Sequence, residues 1–109
     1  MRDYIYIISN DQGYIKVGVS NNPERRVKQL QTGNEHKLKL LFKEEFDCTR
    51  HHLLHIEKEL HKQLRSMATK TVGEWFFLDK YKLDAIKNTV IFYRIRYEDD
   101  TLSLERKFR

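Results

Sequence analysis

Residues 4–8, Tyr-Ile-Tyr-Ile-Ile, carry no charged or amide side chain, and this short run constrains the chain more than any other feature. A five-residue apolar run bounded by turn residues reads as a β-strand covered on both faces. Ser9-Asn10-Asp11-Gln12-Gly13 has turn chemistry, and Tyr14 to Ser20 then alternates. Ile15, Val17 and Val19 fall on one face of this second strand, and Tyr14, Lys16 and Gly18 on the other. The pair reads as a hairpin. A three-residue loop, Asn10 to Gln12, would pair Ser9 with Gly13, setting Tyr6 opposite Lys16 and Ile7 opposite Ile15. That register gathers Ile5, Ile7, Ile15, Val17 and Val19 on one side, whereas a slip of one residue scatters them. The other side then holds Tyr4, Tyr6, Tyr14 and Lys16 together, polar enough to be a site.

The remaining segments fall into short elements. Asn22 as N-cap and Pro23 at the first helical position open a helix over 22–31, which Gly33 ends. Val27 and Leu30 mark its buried stripe; Arg26 borders that stripe and Arg25 points away. His36 to Phe46 reads as a third strand, with Leu38, Leu40 and Phe42 on one face. Thr49 caps a helix over 50–67 whose apolar stripe is Leu53, Ile56, Leu60, Leu64 and Met67. Residues 73–78 form a short extended segment, and Asp79 caps a third helix to about residue 90. Ile91 to Phe108 either form a hairpin around Glu98-Asp99-Asp100 or continue the helix to about Tyr97. The expected class is α+β, with one domain over 1–90 and a C-terminal extension over 91–109 in the same compact unit.

Composition narrows the partners. The chain has 109 residues, 21 Lys+Arg against 16 Asp+Glu, and a formal net charge of +5. Residues 1–43 hold eight Lys/Arg and four Asp/Glu, so most of the excess lies in the first half. Such a surface suits an anionic partner such as nucleic acid, and equally serves solubility. The single cysteine, Cys48, excludes an internal disulfide and fits a reducing compartment. No apolar run approaches the roughly 18–20 residues needed to span a bilayer. The first residues are too short for a signal peptide and include Asp3. The expectation is a cytoplasmic protein without membrane association.

Two charged residues stand out from their surroundings. On the helical wheel of 50–67, Glu57 falls inside an arc bounded by Ile56 and Leu54, beside Leu60 and Leu64, while Glu59 faces solvent. A carboxylate there is costly unless it pairs with a cation or binds one, so Glu57 is either a border residue in a salt bridge or a metal or catalytic group. His61 lies one turn later on the same edge. Arg26, at the border of its own stripe, is either a solvated surface residue or a phosphate contact. Cys48, His51, His52 and His55 do not read as a structural zinc site, because His51 and His55 fall on the solvent side of the helix and there is no second cysteine.

Taken in order, Tyr4-Ile5-Tyr6, Lys16-Val17-Gly18, Arg26 eight residues after that glycine, and Glu57 on a later helix resemble the GIY-YIG nuclease superfamily. The likeness is closest to its phage-type and stand-alone subgroup. Arg26-Val27-Lys28-Gln29-Leu30-Gln31-Thr32-Gly33-Asn34, Ile56-Glu57-Lys58-Glu59-Leu60-His61 and Gly73-Glu74-Trp75-Phe76 extend it over residues 4–79. The resemblance implies a three-stranded, mostly antiparallel sheet flanked by helices, with the active centre on one sheet face. It implies a DNA endonuclease using a single Mg²⁺ (or Mn²⁺) held by Glu57 and leaving 5′-phosphate and 3′-hydroxyl ends. Tyr6 would position or deprotonate the attacking water, Lys16 would assist it, and Arg26 would stabilise charge on the phosphate.

The chain departs from the family pattern in carrying Tyr4 for the first glycine and Lys16 for the second tyrosine. No late asparagine is identifiable, and Glu74 occupies that region. Tyr14, His61 and Glu74 are further site candidates. Arg25, Lys28, Lys37 and Lys39 are candidate phosphate contacts, and the expected partners are DNA and a separate protein that supplies target specificity. The alternatives are a nucleic-acid-binding module that has lost cleavage, or an interaction domain using residues 91–108.

Overall fold

In the computed structural model, described over residues 2–107 with side chains to Tyr97, the chain forms five strands and three helices. The elements are β1 (Asp3–Ser9), β2 (Tyr14–Ser20), α1 (Pro23–Gln31), β3 (Lys39–Phe46), α2 (Arg50–Met67), β4 (Lys70–Val72), β5 (Trp75–Phe77) and α3 (Lys80–Lys107). They make one antiparallel sheet of order β3-β1-β2-β5-β4. The class is α+β as expected, but the sheet has five strands rather than three. The added pair comes from a tight hairpin at Gly73 (φ +59°) that docks on Tyr14 and Ile15. That pairing spans some sixty residues of sequence, so no local pattern reveals it.

β1 lies inside the sheet, and Ile5, Tyr6, Ile7 and Ile8 are each at most 2% exposed. One sheet face presents Ile5, Ile7, Ile15 and Val17 to Leu53, Ile56, Leu60 and Leu64 of α2 and to Ile86 and Val90 of α3. This is the main core. α1 contacts β1, β2 and β3 from the other side, the side of Tyr6 and Ile8.

The hairpin keeps the expected face assignment but not the expected register. Tyr6 pairs with Gly18, Ile7 with Val17 and Ile8 with Lys16, a shift of two residues. The loop residues are Asp11 to Gly13, because Gly13 (φ +85°) supplies the left-handed position and Asn10 and Tyr14 close the loop. The Asn10 side-chain oxygen accepts from the backbone N–H groups of Gln12 and Tyr14 at 2.9 and 3.0 Å. Tyr14 therefore stands at the hairpin end, away from Tyr4 and Tyr6, rather than in one cluster with them.

The third strand also differs. A bulge opposite Ile7 and Ile8 pairs Phe42 with Ile7 but Leu40 with Ile8, so Leu40 and Phe42 do not share a face. The strand begins at Lys39, not His36, because the Gln31 side chain engages the preceding backbone. Its amide donates to the carbonyls of Asn34 and His36 and accepts from the Leu38 N–H at 2.8 Å.

Helix starts follow the expected caps: Asn22 accepts from Arg25 N–H, Thr49 from His52 N–H, and Asp79 from Lys82 N–H. Past Asp79 no glycine or proline interrupts the chain, and α3 continues to Lys107. The helical alternative for the C-terminal extension is the one found; Phe108 and Arg109 lie outside the described residues. Among the described residues no helix is long and apolar enough to cross a membrane.

Candidate active site

Tyr6 lies across Gly18, its partner on β2. A Cβ built on Gly18 would stand 2.4 Å from the Tyr6 hydroxyl oxygen and 2.5 Å from Cζ, so only glycine lets the ring take this place. The residue is 2% exposed. Its hydroxyl has no hydrogen-bond partner among the described residues, yet it is not sealed from solvent. A nearly buried phenol thus keeps its reactive end free. The alternation puts Gly18 on this face, and the fold makes it the floor beneath the ring. The signal was present, since a glycine interrupts an otherwise good alternating strand.

Lys16, the next same-face residue of β2, reaches Glu74 Oε2 with its Nζ at 2.6 Å. The hydrogen bond and charge of Lys16 hold the Glu74 carboxyl below its ordinary value. The Gly73–Glu74 turn delivers that carboxylate from a segment 58 residues away. In this pair Lys16 donates hydrogen bonds and positive charge to the Glu74 carboxylate.

The position of α2 follows from an opening in the sheet. β5 pairs with β2 only at Tyr14 and Ile15, leaving the outer edge of β2 free beyond them. The buried His61 fills it, with Nε2 2.9 Å from the Val17 carbonyl oxygen, a geometry in which the ring N–H donates. His61 is thereby fixed against β2, and Glu57, one turn earlier on α2, is set beside the Lys16–Glu74 pair. Burial pushes the Glu57 carboxyl above its ordinary value; His61, Lys16 and Arg50 pull it down, while Glu74 raises it further. Glu57 has no cation at ion-pair distance among the described residues, in contrast to Glu59, which pairs with Lys62 at 3.4 Å. Leu54, expected at the edge of the apolar arc, is instead 45% exposed.

The remaining candidates are distributed around this group. Arg26 is exposed on α1, with a hydrogen bond to Gln29 at 3.5 Å and none to Tyr6, Lys16 or Glu57 among the described residues. Val27 and Leu30, its neighbours on the stripe, are half-buried. Arg25 and Lys28 on α1, Lys37 just before β3 and Lys39 at its start are exposed and form no ion pair among the described residues. Tyr14 packs edge-on against Phe77, with ring centroids 5.5 Å apart.

The half-buried Glu57 carboxylate lacks a counter-ion at contact distance, and its oxygens are the hard donors that Mg²⁺ takes. Among the described residues no cluster of three or more His, Cys, Asp or Glu surrounds it. A cation bound there would keep open positions for water and phosphate oxygens, which is the usual arrangement for Mg²⁺.

Fold and site together define a small basic α+β domain with one polar sheet face and a carboxylate at the sheet's open edge. The model of the T5orf172 domain matches residues 3–92, and the chain belongs to that family. Membership is consistent with a nuclease or another nucleic-acid-related function. Comparison with curated proteins and with solved structures gave no match.

Proposed function

We propose that this protein is a DNA endonuclease of the GIY-YIG type that hydrolyses phosphodiester bonds with one divalent metal held by Glu57. The observation that carries the reading is the free hydroxyl of the nearly buried Tyr6, held over Gly18 on the same sheet face as Lys16. Once its own proton has left to solvent, the Tyr6 oxygen can receive the proton of an attacking water and pass it on to solvent in turn. Lys16, on the same sheet face, supplies an ammonium that donates hydrogen bonds and positive charge to the site. Arg26 offers a planar fork of donors to the non-bridging oxygens as negative charge develops. Lewis-acid polarisation of a phosphoryl oxygen is the chemistry that a bound Mg²⁺ or Mn²⁺ supplies at Glu57. Glu57 holds, Arg26 neutralises, Tyr6 moves the proton, and His61 keeps α2 in place through the Val17 carbonyl.

The test is single-turnover cleavage of plasmid and linear DNA in Mg²⁺, with chelator as control. Wild type should nick or cut. Tyr6→Phe, Arg26→Ala and Glu57→Gln should each lose about 10²-fold or more in rate while keeping most DNA affinity. No cleavage by wild type, or a Glu57→Gln variant as fast as wild type, overturns the reading. Retained DNA affinity without cleavage selects a binding module instead.

A further inference from the structure

Next to Lys16, on the same side of the sheet, a groove of about 220 Å³ opens between the hairpin tip, the loop after α1 and the β4–β5 arm. Tyr14, Trp75 and Val72 form its apolar wall, and Asn10, Asn34 and His36 its polar side. Tyr14 alternates with Lys16 along β2 and so shares its face. Phe76 sits in the core on the opposite face, so Trp75, its neighbour in β5, emerges on the side of Lys16. Trp75 also follows directly on Glu74, the partner of Lys16. The groove begins where the candidate active site ends.

Its polar groups are oriented by bonds already made. The side-chain oxygen of Asn10 accepts from Gln12 and Tyr14, and that of Asn34 accepts from the His36 N–H at 2.9 Å. Each amide is left with its NH₂ as the free end, and among the described residues neither NH₂ has an acceptor. The Trp75 indole N–H likewise has none. Free donors beside an aromatic wall suit a flat ring with acceptors on its edge. Exposed Lys37 and Lys39, unpaired among the described residues, follow His36 and suit the phosphates on either side of such a ring. A nucleobase in an intact duplex has both faces stacked and one edge paired, so only an unpaired base can present a face to Trp75 and an edge to the asparagines.

We propose that this groove takes one unpaired nucleobase of a DNA strand whose adjacent phosphate lies over the Tyr6–Lys16 face, so that the protein prefers single-stranded or locally unpaired DNA. The inference rests on the nucleic-acid reading above and adds the form of the substrate.

Trp75 is the single tryptophan of the chain, so its emission reports on the groove directly. Wild-type protein is titrated, without metal, with a short single-stranded oligonucleotide, with an abasic strand of the same length, and with a blunt duplex. Tryptophan emission and the anisotropy of an end label on the nucleic acid are followed together. The single strand should change the emission at the concentrations where anisotropy saturates, whereas the abasic strand and the duplex should bind with little change. Trp75→Ala should weaken the single strand by about tenfold while leaving the abasic strand's affinity unchanged. Binding of the single strand by anisotropy with unchanged emission, or an equal response to the abasic strand, overturns the groove assignment and leaves the nucleic-acid reading standing. Absence of binding to all three overturns both.

Discussion

At the scale of single residues, the site depends on one missing side chain and one costly charge. Gly18→Ala places a methyl where the Tyr6 hydroxyl lies. Tyr6 is held between β2 and β3, so its ring must tilt away, and a displacement of about 1 Å can lower the rate about 10²-fold. Single-turnover cleavage should show that loss, and adding Tyr6→Phe to Gly18→Ala should lower the rate little further, since both changes disable the same group. Glu57 offers the opposite trade. Its folded carboxyl titrates above the ordinary 4.5 mainly because burial penalises the charged form. The native state therefore binds the proton more tightly than the unfolded chain, and stability falls as pH rises through that window. Glu57→Gln, measured in chelator, should raise Tm at neutral pH, with the gain vanishing as pH drops below 4.5. A variant that loses cleavage yet melts higher would mark Glu57 as a residue kept for function; a lower Tm at neutral pH would contradict the burial argument.

At the scale of elements, two glycines separate backbone strain from packing. Gly13 and Gly33 both adopt left-handed backbone, at φ +85° and +79°. A Cβ on Gly33 meets nothing within 4 Å, whereas one on Gly13 comes within 2.9 Å of the Phe77 ring. Gly33→Ala should cost ~1 kcal/mol from the backbone alone. Gly13→Ala should cost more, ~2 kcal/mol, because the Phe77 ring that joins β5 to the hairpin must also yield. Urea unfolding of the two variants gives the comparison, and equal losses would show that the β5 arm moves freely. The arm matters because it carries both Glu74 to Lys16 and Trp75 to the groove.

Over the whole molecule, some described basic side chains are paired with carboxylates and others are not. Arg2, Lys16, Lys43, Arg50 and Lys62 are committed to carboxylates. Arg25, Arg26, Lys28, Lys37 and Lys39 are exposed without ion pairs among the described residues, on α1 and the segment leading into β3. A DNA strand entering on this side would release counter-ions, each neutralised phosphate contributing roughly −0.9 to the log–log salt slope on duplex. Lys28→Gln, Lys37→Gln and Lys39→Gln should each bring the slope nearer zero by about 0.9. Lys62→Gln, on α2 and paired with Glu59, should leave it unchanged. Affinity that does not vary between low and physiological salt would remove DNA from this surface.

Local chemistry fixed what depends on neighbouring residues: the caps at Asn22, Thr49 and Asp79, the apolar stripe of α2, and the side of the hairpin on which Tyr6 and Lys16 stand. An alternating pattern repeats every two residues, so it excludes odd slips and is blind to even ones. The register was therefore free to settle two residues away, where the Gly13 turn closes, putting Tyr6 over Gly18 and sending Tyr14 toward the groove. The bulge that separates Leu40 from Phe42, the fourth and fifth strands, the Lys16–Glu74 pair and the His61 contact with Val17 all join segments distant in the chain. Their energies exist only after the sheet has closed, and for that reason Glu57 could be singled out from its helix, while the company it keeps was decided by tertiary structure.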